Sequence, residues 1–169
     1  IKPLPNLDYK IMIGNSLDAM NSKKDKMPML YREAKNKLVA LHKEYFGMTD
    51  HAKKGDLKRQ IDSARKLCGD IEAFDWYIDF SEVFTAQEHD TLGQQPGFDI
   101  VVGNPPYIQL QTMSAEAKKL KPSYRSFSSM GDIYCLFYEL GWKILTKRGI
   151  LAFITSNSWM RAGYGEGLR

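Results

Sequence analysis

The chain has few of the residues that build disulfide frameworks and metal centres. Cys68 and Cys135 are its only cysteines, and their isolation is typical of a reducing compartment, so we expect a cytoplasmic protein. The histidines, His42, His51 and His89, show no ligand spacing, and the sequence therefore predicts no metal site. No apolar run approaches the length of a membrane span, which argues against a membrane partner.

The chain does have enough apolar residues for a core, and its charge is unevenly spread. Its 169 residues suit one domain, and the hydrophobic content of 43% with 12% aromatic residues excludes general disorder. Residues 21–70 contain 13 Lys and Arg against 7 Asp and Glu, a net charge of +6, whereas the rest of the chain has a net charge of −2. A basic helical face is commonly just solvated, and contact with nucleic acid is the sharper alternative.

Residues 98–107, Phe-Asp-Ile-Val-Val-Gly-Asn-Pro-Pro-Tyr, are the most informative stretch. The apolar run Ile100–Val102 has the length and β-branching of a buried parallel strand. Pro105 and Pro106 then forbid further ladder pairing, because neither has a backbone N–H to donate. The chain must leave the sheet at the carboxyl end of this strand, which is where open α/β sheets bind their ligands.

The residues after the strand suit chemistry on an exocyclic amine, whose lone pair is delocalised into a ring or a carbonyl. Two fixed acceptors, the Asn104 side-chain oxygen and the Pro105 carbonyl, would hold both N–H bonds and free the lone pair for attack on an activated methyl group. Tyr107 supplies a flat face on which an extracted base can stack. The simpler alternative is a stiff turn that only ends the strand. The fixed order of strand, glycine, prolines and aromatic favours the functional interpretation.

Asn104-Pro105-Pro106-Tyr107 after an apolar strand resembles the catalytic motif of N6-adenine DNA methyltransferases that use S-adenosylmethionine. The resemblance implies that Asn104, Pro105 and Tyr107 contact a target adenine flipped out of double-stranded DNA, with Pro106 completing the catalytic motif. Residues 74–84 are similar to a segment of fused restriction–modification enzymes of type IIS or IIG. Four further segments resemble elements of the methyltransferases: Tyr9–Leu17, Asp132–Phe137, Gly149–Asn157 and Trp159–Gly165.

The resemblance also implies residues for the cofactor and for the DNA backbone. Asn15 stands where the family has an acidic residue that touches the cofactor. Phe137 matches an aromatic position that lines the adenine of the cofactor. Three lysines follow the catalytic loop closely along the chain, and they are better candidates for phosphate contact than the basic segment 21–70: Lys118, Lys119 and Lys121.

The family's principal cofactor loop, a Gly-rich turn after its first strand, has no counterpart before the catalytic motif. We therefore expect residues 1–169 to be a fragment of a methyltransferase catalytic domain, inactive alone and completed by the other domains of a parent chain. The expected fold is α/β, a partial Rossmann-like class I methyltransferase sheet with a helical hairpin inserted at residues 21–70. An incomplete sheet predicts exposed apolar strand edges, and hence self-association, strand exchange or an unusual pairing of Lys10–Ile13.

Local patterns predict the order strand, helical insert, strand, strand, loop, helix, strand. Short strands are expected at Lys10–Ile13 and, from alternation, at Trp76–Phe80. In the insert, helical spacing predicts apolar stripes at Leu30, Ala34, Leu38, Leu41 and Tyr45, and at Leu57, Ile61, Ala64 and Leu67 after a cap at Asp56. The remaining elements are a short helix at Ser114–Leu120, a helix capped by Asp132 and ending near Leu145, and a strand at Ile150–Thr155.

Two other functions stay open. A protein methyltransferase acting on a glutamine side-chain amide shares Asn-Pro-Pro-Tyr, because an amide nitrogen presents the same chemical problem. A non-catalytic interaction module would instead use the basic helical hairpin and retain the tetrapeptide without activity. The segment Phe74–Phe84 and the long helical insert favour the DNA enzyme over the first alternative, and retention of all four motif residues makes the second unattractive.

Overall fold

The computed structural model describes residues 7–18, 28–68, 73–85 and 96–169, and the statements below refer to these ranges. The chain divides into two compact units, Ile1–Thr85 and Ala86–Arg169. Parts of the expected insert, residues 21–27 and 69–70, lie outside the described residues. Within the described ranges, every helix falls short of the length or the apolar character that crossing a membrane requires.

Two packed helices form the core of the first unit. Helix α1 spans Pro28–Gly47 and helix α2 spans His51–Cys68. The predicted stripes are confirmed at Ala34, Leu38, Leu41, Tyr45, Leu57, Ile61 and Ala64, all of which are buried. The prediction for Leu67 was wrong, because this residue is 59% exposed. The next residue, Cys68, is buried instead, since one step along a helix turns the side chain by about 100° around the axis.

Helix α2 begins earlier than the sequence predicted. The expected cap, Asp56, lies inside the helix, where its carboxylate accepts bonds from Arg59 and Gln60. The cap is Asp50, whose Oδ1 accepts hydrogen bonds from the backbone N–H groups of Ala52 and Lys53. An aspartate before a first turn satisfies N–H groups that have no partner within the helix, so Asp50 fixes the helix start.

The strand predicted at Trp76–Phe80 is wrong, because Trp76–Asp79 forms the short helix α3. Asp75 caps this helix by accepting a hydrogen bond from Tyr77 N at 2.8 Å. The Asp79 carboxylate accepts the Asp75 N–H at 2.8 Å and an Arg65 Nη2 bond at 2.9 Å. These bonds satisfy a buried carboxylate and the first turn of the helix together, and they outweigh the five-residue alternation that predicted a strand.

The strand predicted at Lys10–Ile13 is also wrong, and the segment is a turn followed by irregular chain. The described residues of the first unit contain no strand with which it could pair, and Ile13 is 95% exposed. Tyr9 adopts a positive φ of 58° and places its ring 5.1 Å from that of His42. Burial raises the pKa of the Tyr9 phenol above its ordinary value, so the ring packs as a neutral group.

The second unit is a small α/β arrangement. Strand β1, Phe98–Gly103, pairs in parallel with strand β2, Leu145–Phe153, so that Val101 lies opposite Leu151 and Gly103 opposite Phe153. The connection between them contains helix α4, Ser114–Leu120, and helix α5, Tyr134–Ile144. A parallel pair requires such a crossover. The sequence predicted the α/β class, the β1 strand and the bounds of α4 correctly.

Strand β2 starts at Leu145, five residues before the predicted Ile150, and ends before Thr155. Residues 147–149 form part of an irregularity inside the strand. Phe98 pairs with Leu145 and Ile100 with Ile150, so β2 uses more residues than β1 over the same length. An irregularity of this kind lets exposed side chains leave the ladder without ending it.

The two faces of the parallel pair differ in burial. Helix α5 packs closely on one face, where a Cβ added to Gly141 would approach Leu151 Cδ1 to 2.7 Å. The opposite face is apolar and open, and its side chains are between 62% and 72% exposed: Ile100, Val102, Ile150 and Ile154. The sequence predicted exposed strand edges, whereas the observed exposure is that of an apolar face, and the self-association inferred from the edges stays a prediction.

We expect Ile61→Ala to destabilise the helical hairpin by about 2–5 kcal/mol, because Ile61 is 1% exposed and its loss leaves a cavity. Leu67→Ala on the same helix is the matched control, with an expected change within about 0.5 kcal/mol. Chemical denaturation followed by circular dichroism measures both free energies of unfolding. Equal losses in the two variants would contradict the observed orientation of α2.

Candidate functional site

The residues of the Asn-Pro-Pro-Tyr tetrapeptide form a loop at the carboxyl end of β1. Gly103 is the last residue of the strand, and its carbonyl accepts a hydrogen bond from Ile154 N at 3.1 Å. Pro105 and Pro106 have no N–H with which to extend the ladder, so the chain leaves the sheet at this point. The loop therefore lies where the sequence predicted it.

Asn104 and Pro105 differ in burial. Asn104 is exposed, Pro105 is buried and Pro106 is exposed. Within the ranges that the structure describes, no donor bonds the Asn104 side chain or the Pro105 carbonyl. The buried Pro105 anchors the loop. The exposed Asn104 amide oxygen and the Pro105 carbonyl, which accepts no bond from a described residue, each keep their capacity to accept an N–H bond.

Tyr107 is held at its edge and at its hydroxyl. Its ring centroid lies 5.7 Å from that of Tyr134, with an interplanar angle of 56°. Its hydroxyl donates a long hydrogen bond of 3.4 Å to the Ile154 carbonyl. The residue remains 55% exposed, so the ring is oriented by the protein and still offers surface to a planar ligand.

A cluster of hydroxyl groups lies beside the Tyr107 ring, and the sequence did not predict it. Tyr134 Oη lies 3.2 Å from Ser158 Oγ and 3.1 Å from Tyr164 Oη, and the last two are 2.9 Å apart. Burial raises the pKa of Tyr134 to about 12, the Ser158 bond opposes this, and Tyr164 adds to it. The Tyr134 phenol is therefore protonated at ordinary pH. Tyr134 and Tyr164 occur in segments that carried the family resemblance, and Ser158 lies between two of those segments.

Asp132 is placed differently from the sequence prediction. Helix α5 begins with Ile133 as its cap and without a side-chain capping bond, so Asp132 does not cap it. Its Oδ1 instead accepts the N–H of Ile108 at 2.9 Å, directly after Tyr107. The predicted cap was wrong because this backbone donor, 24 residues earlier in the chain, takes the carboxylate.

The two predicted cofactor residues lie in different units. Asn15, in the first unit, uses its side chain within its own turn, accepting from Leu17 N at 3.1 Å and donating to Asp18 Oδ2 at 2.7 Å. Phe137, in the second unit, is half-buried on α5. It lies three residues after Tyr134 and therefore on the same side of the helix.

The three lysines predicted to contact phosphate are exposed on or just after α4. Ala117 and Leu120 bury the opposite side of this helix, at 3% and 4% exposure. Lys118 and Lys119 occupy the last turn, where positive charge also favours the helix dipole. The lysine ammonium groups are thus exposed to a polyanion. For Lys118 and Lys119, a favourable interaction with the helix dipole is the structural alternative.

Two other kinds of chemistry find little support in the described part of the chain. No group of three or more potential ligands there is arranged to hold a metal ion. Burial raises the pKa of the Cys135 thiol to about 11, which keeps it protonated and removes it as a nucleophile. A mostly apolar cavity of about 340 Å³ borders α5. Its lining residues include Tyr138 and Trp159 and no residue of the tetrapeptide.

The chain matches the family model described as Eco57I restriction-modification methylase over residues 22–169. It is 34% identical over 73 residues to the type II methyltransferase M.BstVI of Geobacillus stearothermophilus and 37% identical over 73 residues to M.PaeR7I of Pseudomonas aeruginosa. Each of these two matches covers 43% of this chain and 13% of the relative.

A third relative is the type II restriction enzyme and methyltransferase RM.Eco57I of Escherichia coli, 32% identical over 92 residues, or 52% of this chain and 9% of the relative. No solved structure matches the chain. The curated matches thus span a small part of each relative's length, whereas the family model spans nearly all of this chain. The chain belongs to the Eco57I restriction-modification methylase family.

Proposed function

We propose that the protein containing this chain transfers a methyl group from S-adenosylmethionine to the N6 amino group of adenine in DNA, as part of a restriction–modification system. The observation that carries the proposal is an exposed amide and an oriented, half-exposed aromatic ring on one loop of a restriction-modification methylase family member. The names of the relatives, which are type II methyltransferases, support methyl transfer.

The loop residues supply the acceptors that an aromatic amine needs. The Asn104 side-chain oxygen and the Pro105 carbonyl each accept one N–H bond of the amine, which draws the nitrogen toward a tetrahedral geometry and localises its lone pair. Pro106 keeps the loop rigid, and the Tyr107 ring stacks on the base once that base has left the duplex. No strong general base is needed, since the amine loses its proton after the methyl group has been attached.

S-adenosylmethionine, when bound, supplies an activated methyl group to this amine. The described residues fit such a donor in one respect, because Phe137 offers a partly accessible ring on the side of α5 that also carries Tyr134. Asn15 is the second proposed contact. Its side-chain amide is engaged within its own turn, so it would act by fixing the backbone of that turn rather than by binding the cofactor through its side chain.

We further propose that this chain is a fragment of a longer methyltransferase. The parallel pair β1–β2 would then be part of a Rossmann-like class I sheet, and residues 21–70 would be a helical insert within the catalytic domain. The open apolar face of the pair and the small share of each relative that the chain matches support this proposal. The remaining domains of the parent would supply the cofactor loop and the reading of the DNA sequence.

Double-stranded DNA is the proposed macromolecular partner, with Lys118, Lys119 and Lys121 on its phosphates. Their exposure supports this role, because phosphate neutralisation is the general source of affinity for DNA. The cytoplasm is the proposed compartment, and the buried, free thiols of Cys68 and Cys135 agree with reducing conditions.

The proposal is tested by incubating the full-length protein with methyl-labelled S-adenosylmethionine and DNA, together with a protein extract and the matched variant Asn104→Ala. We expect label in DNA as N6-methyladenine and none from the variant. The variant should bind the cofactor almost normally, because Asn104 addresses the acceptor amine. Label in protein alone would favour a glutamine methyltransferase. Label in DNA with ordinary turnover by the variant would contradict the role of Asn104. A wild-type protein that transfers no label would favour a non-catalytic module.

Substitution of Tyr107 separates stacking from hydrogen bonding. We expect Tyr107→Ala to lose more methyl transfer than Tyr107→Phe, because stacking needs the ring, and the hydroxyl makes only a 3.4 Å bond to Ile154. The measurement is the rate of methyl transfer for both variants. Equal losses would show that the hydroxyl carries the function of this side chain.

Replacement of Lys118, Lys119 and Lys121 by alanine should weaken DNA binding and reduce its salt dependence. For each lysine that contacts a phosphate, the slope of log affinity against log salt concentration should fall in magnitude by roughly 0.9. A double replacement of the exposed Lys147 and Arg148 serves as the matched control of basic charge. An unchanged slope in the lysine variant would show that these lysines do not contact DNA phosphates.

A further inference from the structure

The catalytic loop is fastened at its far end by a side chain. The first N–H groups after the two prolines belong to Tyr107 and Ile108, and the second of these donates to Asp132 Oδ1 at 2.9 Å. A bond from an N–H to a carboxylate is shorter and stronger than one between neutral groups. Asp132 therefore holds the backbone at Ile108, one residue after Tyr107, whose ring would stack on the base.

The same contact continues along the backbone. Gln109 and Asp132 form an isolated antiparallel bridge. Ile133 N donates to the Ile108 carbonyl at 2.9 Å, and Leu110 N donates to the Gly131 carbonyl at 3.0 Å. The Asp132 carboxylate is thus the side-chain member of a short two-stranded contact, and it lies at the end of that contact nearest to the loop.

The near end of the loop is fixed separately. Gly103 is held by Ile154 N at 3.1 Å, and the Tyr107 hydroxyl reaches the Ile154 carbonyl at 3.4 Å. The four residues between Gly103 and Ile108 are therefore held between the end of β2 on one side and the Asp132 carboxylate on the other. Tyr134, two residues after Asp132, extends the second support to the Tyr107 ring.

Other uses of the Asp132 carboxylate find no support in the described ranges. It does not cap α5, because the cap is Ile133 and no side chain bonds the first turn. It forms no ion pair with a residue described here, and it belongs to no cluster of metal ligands. Among the described residues, the one hydrogen-bond partner of its side chain is the Ile108 N–H.

We propose that Asp132 is a positioning residue for methyl transfer, which sets the catalytic loop so that Asn104 and Pro105 face the amine while Tyr107 faces the base. The inference rests on the proposed function. Reacting groups must be placed within a fraction of an ångström, and displacement by about 1 Å can cost about a hundredfold in rate. Loss of the Ile108 anchor should therefore act on the chemical step more than on binding.

The test compares Asp132→Ala with Asp132→Asn in the full-length protein. We expect Asp132→Ala to lower kcat by about a hundredfold with little change in the Kd for DNA or for the cofactor. Asp132→Asn should recover most of the rate, because the amide oxygen can accept the same bond. Amide hydrogen exchange gives a readout independent of activity: exchange at residues 104–110 should accelerate in the alanine variant and not in the asparagine variant.

Glu139→Ala is the matched control. The Glu139 carboxylate also accepts two backbone N–H bonds, from Arg125 at 3.1 Å and Ser126 at 2.7 Å, and it touches no residue of the catalytic loop. Glu139→Ala should therefore lose stability without a selective loss of kcat. All variants are assayed well below their unfolding temperatures, so that the fraction folded is the same.

Each outcome separates the inference from the proposed function. A wild-type protein that does not methylate DNA overturns the proposed function, and hydrogen exchange then still decides whether Asp132 holds the loop. An active wild type with a normal kcat in Asp132→Ala overturns the inference alone. Equal slowing by the alanine and asparagine variants, or unchanged exchange at residues 104–110 in Asp132→Ala, would show that the hydrogen bond to Ile108 is not the cause.

Discussion

The two consecutive prolines after β1 impose the constraint on which the candidate site depends. Because neither residue has an N–H, the loop between Gly103 and Ile108 cannot be fixed by ladder bonds of its own. It is held from outside, through Ile154 at the end of β2 and through the Asp132 carboxylate. The acceptors inside the loop stay available as a result, which an ordinary hydrogen-bonded turn would not allow.

Features that depend on neighbouring residues were predictable from the sequence. The strand before the prolines follows from a β-branched run and a proline stop, and both are local. The bounds of Ser114–Leu120 and the buried faces of the two long helices follow from spacing alone. The motif of the candidate site could thus be located at the end of a parallel strand, although its supports could not.

Features that depend on distant partners were not predictable. Alternation at Trp76–Phe80 fits a strand, and the helix formed instead because Arg65 pairs with Asp79 across 14 residues. The segment Lys10–Ile13 has strand-like residues, but strand structure requires a neighbour, and none lies in the described part of its unit. The bonds of Tyr134 to Ser158 and Tyr164 span 24 and 30 residues, and hydroxyl groups show no periodicity that would reveal such a pairing.

The two acceptors of the loop have a consequence for the selectivity of the proposed reaction. The exposed Asn104 amide oxygen is satisfied by water, so its lack of a protein partner costs little. Under the proposed function, a base that stacks on Tyr107 would expel this water. It would then have to donate one N–H to the Asn104 oxygen and one to the Pro105 carbonyl, because an acceptor left unpaired bears a desolvation penalty of about 1–3 kcal/mol. A ring with an exocyclic amine supplies two N–H donors, whereas a ring carbonyl in the same place sets acceptor against acceptor. Under the proposed function, a loop that activates an amine would therefore also reject bases that lack one.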